Sequence, residues 1–163
     1  MLLLDVDGVL TDGRIILDDR GVETKQFHVR DGQGISLLMR AGIEVGLITA
    51  RSSPIVRQRA KELGISLVRQ GVRDKLAAYH EIKNSRGLSD RQVAYVGDDV
   101  LDLGILRTAG LAVAVADGAL EARSAADWVT AAAGGAGAVR EVAELLLKSQ
   151  KKWSGLIAKL VEN

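Results

Sequence analysis

Asp5 and Asp7 stand two residues apart at the tip of an apolar run, in MLLLDVDGVLTD. Neighbouring carboxylates repel unless a cation lies between them or one keeps its proton. Thr49 then follows a second aliphatic run and Lys75 a third. Gly97-Asp98-Asp99 follows a fourth, with Asp102 three residues further on. Clustered oxygen ligands suit Mg²⁺, which takes one or two carboxylates and fills its shell with water and substrate phosphate. A carboxylate beside such a cation can attack phosphorus and form an aspartyl-phosphate. Lysine and hydroxyl groups neutralise phosphoryl oxygens, and a second aspartate two residues on can protonate the leaving oxygen and then activate water. Each feature alone has a plainer reading: Asp-x-Asp as a solvated loop, Lys75 as a surface lysine, Asp98-Asp99 as a helix N-cap pair. Their order, each behind its own apolar run, favours the joint reading. An EF-hand is excluded, because Gly8 is the fourth loop residue instead of the sixth and Ile16 stands where the loop needs Glu.

The elements that must position these groups are legible as alternation. Aliphatic runs at 2–6, 44–49, 65–69, 92–96 and 111–115 read as strands. Between them, Ile35, Leu38 and Met39 share a helical face, as do Val56, Ala60 and Leu63 ahead of Gly64. Leu76, Tyr79 and Ile82 mark a third helix, and Leu101, Ile105 and Leu106 a fourth. The pattern predicts a three-layer α/β fold, a doubly wound parallel sheet covered on both faces, with function gathered at the carboxyl ends of the strands. Residues 14–17 and 22–27 around the polar turn 18–21 predict a β-hairpin flap, about 14–27, projecting over the acidic loop, with Asp12 as the turn residue that launches it. The glycines at 134, 135 and 137 read as a mobile loop before a helix at 138–148, and a weakly amphipathic tail runs from about 150 to 163. One domain, 1–163, accounts for the length.

Composition narrows the class. Hydrophobic residues make up 47% and aromatics only 3%, so the core is aliphatic. A net charge of +1 gives no general attraction to nucleic acid or an anionic membrane. There is no cysteine, hence no disulfide scaffold or thiolate chemistry. No apolar run reaches the roughly 20 residues of a transmembrane helix, and the opening stretch is too short for a signal peptide. A cytoplasmic protein acting on a small molecule is expected. The two histidines show no zinc spacing: His80 reads as a packing residue of a helix, and His28 lies beside Val29-Arg30. Residues 51–75 hold seven basic residues against two acidic ones, which suits an anionic substrate carrying a carboxylate as well as a phosphate.

DVDGVLTDG, ITAR, Lys75 and YVGDDVLD resemble the four motifs of the haloacid dehalogenase superfamily of phosphatases. FHVRDGQGI, QGVRDK, VAYVGDDVLDLGIL, VAVADG and GAVREVAELLL are similar to the 3-deoxy-D-manno-octulosonate 8-phosphate phosphatases along nearly the whole chain. The resemblance implies a Rossmann-like sheet without a cap domain and Mg²⁺ held by Asp5, Asp98 and the Asp7 backbone carbonyl. It further implies Asp5 as nucleophile, Asp7 as general acid and base, Thr49 and Lys75 on the transferring phosphate, and Asp99 and Asp102 ordering the metal's surroundings. Substrate contacts fall on Asp7, Lys75, Arg51, Arg59 and the stretch His28-Val29-Arg30-Asp31-Gly32. Relatives acting on nonulosonate 9-phosphates tend to carry Glu where this chain has Arg51. Two departures stand out: Ser36 and Ala136 occupy places where the octulosonate family often has arginine, a role open to a nearby residue such as Arg40. The implied reaction belongs to lipopolysaccharide precursor biosynthesis. The implied assembly is a homotetramer in which neighbouring subunits close the open site. Rival readings are a phosphatase of another sugar acid, a signalling receiver domain, and a silent tetramerisation module. The early Asp5–Asp7 pair argues against the receiver, and the intact acid set against the silent module.

Overall fold

Leu2, Leu3 and Leu4 form the innermost strand, β1 (Leu2–Leu4), in which every side chain is fully buried. The coordinates are a computed structural model, and residues 1–161 are described; the last two residues of the predicted tail, 162 and 163, lie outside them. The hairpin β2 (Ile16–Leu17) and β3 (Glu23–Thr24) follows, then α1 (Val29–Arg40), β4 (Val45–Ile48), α2 (Pro54–Leu63), β5 (Leu67–Arg69) and α3 (Lys75–Ser85). The second half adds β6 (Ala94–Gly97), α4 (Leu103–Leu106), β7 (Leu111–Ala114), α5 (Leu120–Ala125), β8 (Trp128–Val129), α6 (Ala138–Ser149) and α7 (Trp153–Val161). The six-stranded sheet has the order β5-β4-β1-β6-β7-β8 with every pair parallel, so the doubly wound reading holds.

Period-two alternation explains why β1 must be apolar throughout. Leu2 and Leu4 face one layer with Ile35 and Leu38 of α1, Val56 of α2 and Val142 of α6. Leu3 faces the other, with Tyr79 and Ile82 of α3, Ile105 of α4 and Ala122 of α5. Gly34 lets α1 and α6 approach closely: a Cβ there would lie 3.1 Å from Ala143 Cβ.

Three details depart from the sequence expectations. The fourth aliphatic strand begins at Ala94, because Asp90–Gln92 is spent on a short 3₁₀ turn capped by Ser89. Strand β8 and helix α5 were not anticipated; at two and six residues they are too short for periodicity to register. The glycine loop is not mobile but pinned, with Gly135 N–H donating to Val9 O (2.9 Å) and Gly134 N–H to Asp117 Oδ1 (2.8 Å). The tail helix α7 turns back onto its own α6, where Trp153 lies beneath the Arg140 and Lys148 cations at 5.3 and 5.2 Å. His80 packs edge-on to Tyr79, with ring centroids 5.4 Å apart.

Candidate active site

The carboxyl ends of β1 and β6 lie side by side, and their acids meet. Asp5 continues β1, and the chain then turns tightly, with Leu10 and Thr11 N–H both donating to Val6 O. Gly8 sits in that turn at φ +95°, and a Cβ there would fall 2.0 Å from Asp98 Oδ2, so no side chain fits. Carboxylate oxygens of Asp5, Asp98 and Asp102 lie within 4.8 Å of one another.

Asp102 is fully buried and fully satisfied. Its Oδ2 accepts from the backbone N–H of Asp98 (3.0 Å) and Asp99 (3.2 Å), and its Oδ1 takes the Lys75 ammonium at 2.6 Å and the Tyr95 hydroxyl. It therefore shapes the Asp98 turn and anchors Lys75 without an oxygen to spare. Lys75 opens α3 just after Asp74, whose carboxylate caps that helix by accepting from Ala77 N–H, and its Nζ also reaches Asp5 Oδ1 at 3.0 Å.

Asp5 and Asp98 are different. Among the described residues, Asp98 Oδ1 is buried without a hydrogen-bond donor, and Asp5 Oδ1 has only the Lys75 ammonium, at 3.0 Å. Burial, then the charges of Asp5 and Asp102, push the Asp98 carboxyl up to about 8. Burial and Asp102 likewise raise Asp5 to about 6 against the opposing pull of Lys75. Burial would lower Lys75, yet Asp5 and Asp102 outweigh it and hold the ammonium above its usual range. Three acids share one lysine, which leaves a local excess of negative charge and the Asp98 Oδ1 without a partner among the described residues. That donor set fits a small divalent cation held by Asp5 and Asp98, with hard oxygen ligands of the kind Mg²⁺ takes.

Thr49 ends β4 and donates from Oγ1 to Asp7 Oδ2 (3.4 Å). Asp5, Asp7, Thr49, Arg51, Lys75 and Asp98 line a cavity of about 200 Å³. Asp99 stands at its mouth, exposed, with Oδ1 accepting from Val100 N–H at 2.7 Å. The motif residues are thus brought together as their order suggested.

The remaining expected residues form a second group that does not line this cavity. Val29, Gly32, Ser36 and Arg59 border a separate groove of about 280 Å³. Arg59 lies over the Phe27 ring at 5.7 Å and pairs with Glu62 at 3.3 Å. Asp31 is buried and turned to α6, accepting from Arg140 N–H at 2.7 Å and Gly137 N–H at 3.3 Å. His28 precedes α1, and among the described residues its buried Nδ1 has no hydrogen-bond partner. Arg30 and Ala136 border a larger groove of about 440 Å³ with Arg140 and Glu144, whose carboxylate is already engaged by Arg140 and Lys148. Arg40 borders neither groove; the cations that line the groove with Ala136 are Arg30, Arg140 and Lys148.

Sequence reasoning set the hairpin over the acidic loop but missed the two residues it brings there, Lys25 and Glu23. Lys25, with a side chain only 1% exposed, ion-pairs with Asp7 Oδ1 and lies 3.4 Å from Glu23. Glu23 in turn binds Arg51 and the Ser53 hydroxyl, each at 2.8 Å. The available signal was the i, i+2 spacing of Glu23 and Lys25, which puts both on one face of an extended chain.

Comparison with known proteins agrees with this geometry. The family model for haloacid dehalogenase-like hydrolases matches residues 65–142. The 3-deoxy-D-manno-octulosonate 8-phosphate phosphatase of Yersinia pestis is 45% identical over 155 residues, covering 95% of this chain and 83% of that protein. The crystal structure of the Moraxella catarrhalis phosphatase of the same name, in complex with magnesium, phosphate and KDO, superposes with a TM-score of 0.95. It is 45% identical and covers 98% of this chain and 91% of that one. The cobalt-bound form of the Haemophilus influenzae enzyme gives a TM-score of 0.89 at 42% identity, covering 93% and 88%. With the acids, Thr49 and Lys75 gathered at the strand ends of a capless sheet, the chain belongs to the 3-deoxy-D-manno-octulosonate 8-phosphate phosphatase family of the haloacid dehalogenase-like hydrolases.

Proposed function

We propose that the protein is a Mg²⁺-dependent phosphatase that hydrolyses 3-deoxy-D-manno-octulosonate 8-phosphate to the free sugar acid and phosphate, in the cytoplasm, as a step of lipopolysaccharide precursor biosynthesis. The observation that carries this reading is the cluster of Asp5, Asp98 and Asp102 oxygens around the single Lys75 ammonium, in a chain 45% identical to phosphatases of that name. Asp5 and Asp98, with the Asp7 backbone carbonyl, would hold the cation. When bound, Mg²⁺ supplies positive charge against both the carboxylates and the phosphoryl oxygens.

The chain's own groups do the rest. The Asp5 carboxylate attacks phosphorus and the bond to the sugar oxygen breaks, while Asp7 gives that oxygen its proton. Asp7, now ionised, takes a proton from water as it attacks the aspartyl-phosphate, which returns the Asp5 carboxylate and frees phosphate. Thr49 and Lys75 neutralise charge on the transferring group. Asp102 holds Lys75 in place, and Asp99 caps the turn that presents Asp98. Arg51, which lines the cavity and pairs with Glu23, binds the sugar-acid carboxylate.

The second group, His28, Val29, Arg30 and Gly32 with Arg59, meets substrate from a neighbouring subunit, while Asp31 ties the start of α1 to α6 behind it. The support is the hairpin's outer surface, where Ile15, Leu17 and Val22 are 60%, 58% and 56% exposed. Exposed apolar side chains on a flap bury favourably against other copies, and a homotetramer built on the flaps closes each open site.

Phosphate release from a panel of sugar phosphates with Mg²⁺, for the wild type and Asp5→Asn, tests the chemistry, and sedimentation of the same samples tests the assembly. Preference for the octulosonate ester and loss of turnover in Asp5→Asn are expected. Preference for a nine-carbon acid phosphate would overturn the substrate, undiminished turnover by the variant would overturn the nucleophile, and no release at all would indicate the silent module. A monomer would overturn the assembly.

A further inference from the structure

We propose that Lys25, which none of the phosphatase motifs contains, is a positioning residue that fixes the Asp7 carboxylate from the hairpin. This rests on the reading of Asp7 as the proton carrier. β2 and β3 pair through only two residues each, and apart from Glu23, Lys25 and Phe27 the flap they form is exposed. Yet the Lys25 side chain is 1% exposed, and its ammonium is set between two carboxylates, Asp7 Oδ1 and Glu23 Oε1. Burying an ammonium is costly unless charge partners replace its water, and lysine usually keeps its charged head in solvent. Here the flap carries that head to the reacting centre.

The consequence for Asp7 is geometric. Its Oδ2 receives the Thr49 hydroxyl and its Oδ1 the Lys25 ammonium, so the carboxylate is held from both sides. A general acid works only when its oxygen is aimed at the leaving atom. Glu23 extends the hold, because Arg51 and Ser53 keep it at 2.8 Å on the far side of Lys25. A continuous chain of ionic contacts, Arg51–Glu23–Lys25–Asp7, thus joins the wall expected to meet the substrate carboxylate to the group that moves the proton.

A double-mutant cycle tests this. Wild type, Lys25→Met, Asp7→Asn and the double variant are assayed for kcat and KM on the preferred sugar phosphate and on p-nitrophenyl phosphate, whose leaving group departs without a proton. Lys25→Met lowers kcat/KM on the sugar phosphate by about a hundredfold, mostly in kcat, and by clearly less on the aryl ester. Added to Asp7→Asn, it costs no more than about a further threefold, because its partner is already lost. Equal losses on both leaving groups, or losses that multiply in the double variant, would overturn the proposal. If circular dichroism shows Lys25→Met unfolded, Lys25→Gln takes its place in the same cycle. Should the octulosonate ester not be hydrolysed while another alkyl phosphate is, the substrate assignment fails alone, and the cycle is run on that ester.

Discussion

The aspartates at the strand ends and the aspartate in the first turn of α1 differ in how their oxygens are met. Asp31 is 1% exposed and stands without a second acid, each of its oxygens accepting a backbone N–H from the start of α6. Asp5 is buried and Asp98 half-buried, packed against each other and Asp102 with one lysine among them, and Asp98 Oδ1 has no partner among the described residues. Burial raises the carboxyl pKa in both places, but at Asp31 the α6 amides take back part of the rise, whereas at Asp98 neighbouring acids add to it. A buried carboxylate whose partners are built in stabilises the fold. One whose partners must come from outside costs stability and marks a site for a cation and a phosphoryl group.

The largest effect that sharpens this contrast comes from Lys75. Lys75→Met removes the cation shared by Asp5 and Asp102 and the charge expected to meet the phosphoryl group. Turnover falls by about a hundredfold or more at saturating substrate. Assays at saturating Mg²⁺ check it, and activity within a few-fold of wild type would mean that Lys75 serves only the fold.

Next in size is the response to pH and metal. A carboxyl whose folded pKa lies above its unfolded one binds more protons when folded, so its contribution to stability falls as pH rises. For Asp98, pushed up to about 8, that loss runs from the ordinary carboxylate range up to about pH 8, and for Asp5 up to about 6. Mg²⁺ replaces those protons at no cost once they have left, so it raises the melting temperature far more at about pH 8 than at about pH 5. Asp98→Asn abolishes the difference. An equal Mg²⁺ shift at both values would sink the assignment of Asp5 and Asp98 as the cation's ligands.

The two regions were not equally legible in the sequence. The acid rim could be read because each motif sits directly behind an aliphatic run, and parallel strands deliver their ends to one edge. Apolar runs near 46, 67 and 112 gave β4, β5 and β7 for the same reason. Asp31 could not be read: its partners lie 106 and 109 residues away, and nothing local distinguishes it from the neighbouring Arg30 that stays exposed. Lys25 was hidden by the shortness of β3, whose two residues leave side-chain direction undefined without the docked flap. The glycine loop misled because flexibility was inferred from composition, while its glycines serve close approach: a Cβ at Gly134 would fall 1.7 Å from Gly8 O.

The smallest predicted effect tests the Asp31 half of the contrast. Gly137 precedes α6 and has no side chain to cap it, so Asp31 supplies from α1 the oxygens that an N-cap residue would. Removing a capping carboxylate costs about 0.5–2 kcal/mol, and the buried N–H groups left behind move the value toward the upper end. Asp31→Ala therefore lowers stability by about 2 kcal/mol, or about 4–8 °C in melting temperature for a chain of this length, while Asp31→Asn, which keeps one acceptor, loses less. Chemical denaturation of both variants measures it. If Asp31→Ala instead lost turnover at unchanged stability, Asp31 would act on the substrate, and its satisfied hydrogen bonds would no longer separate a structural carboxylate from a functional one.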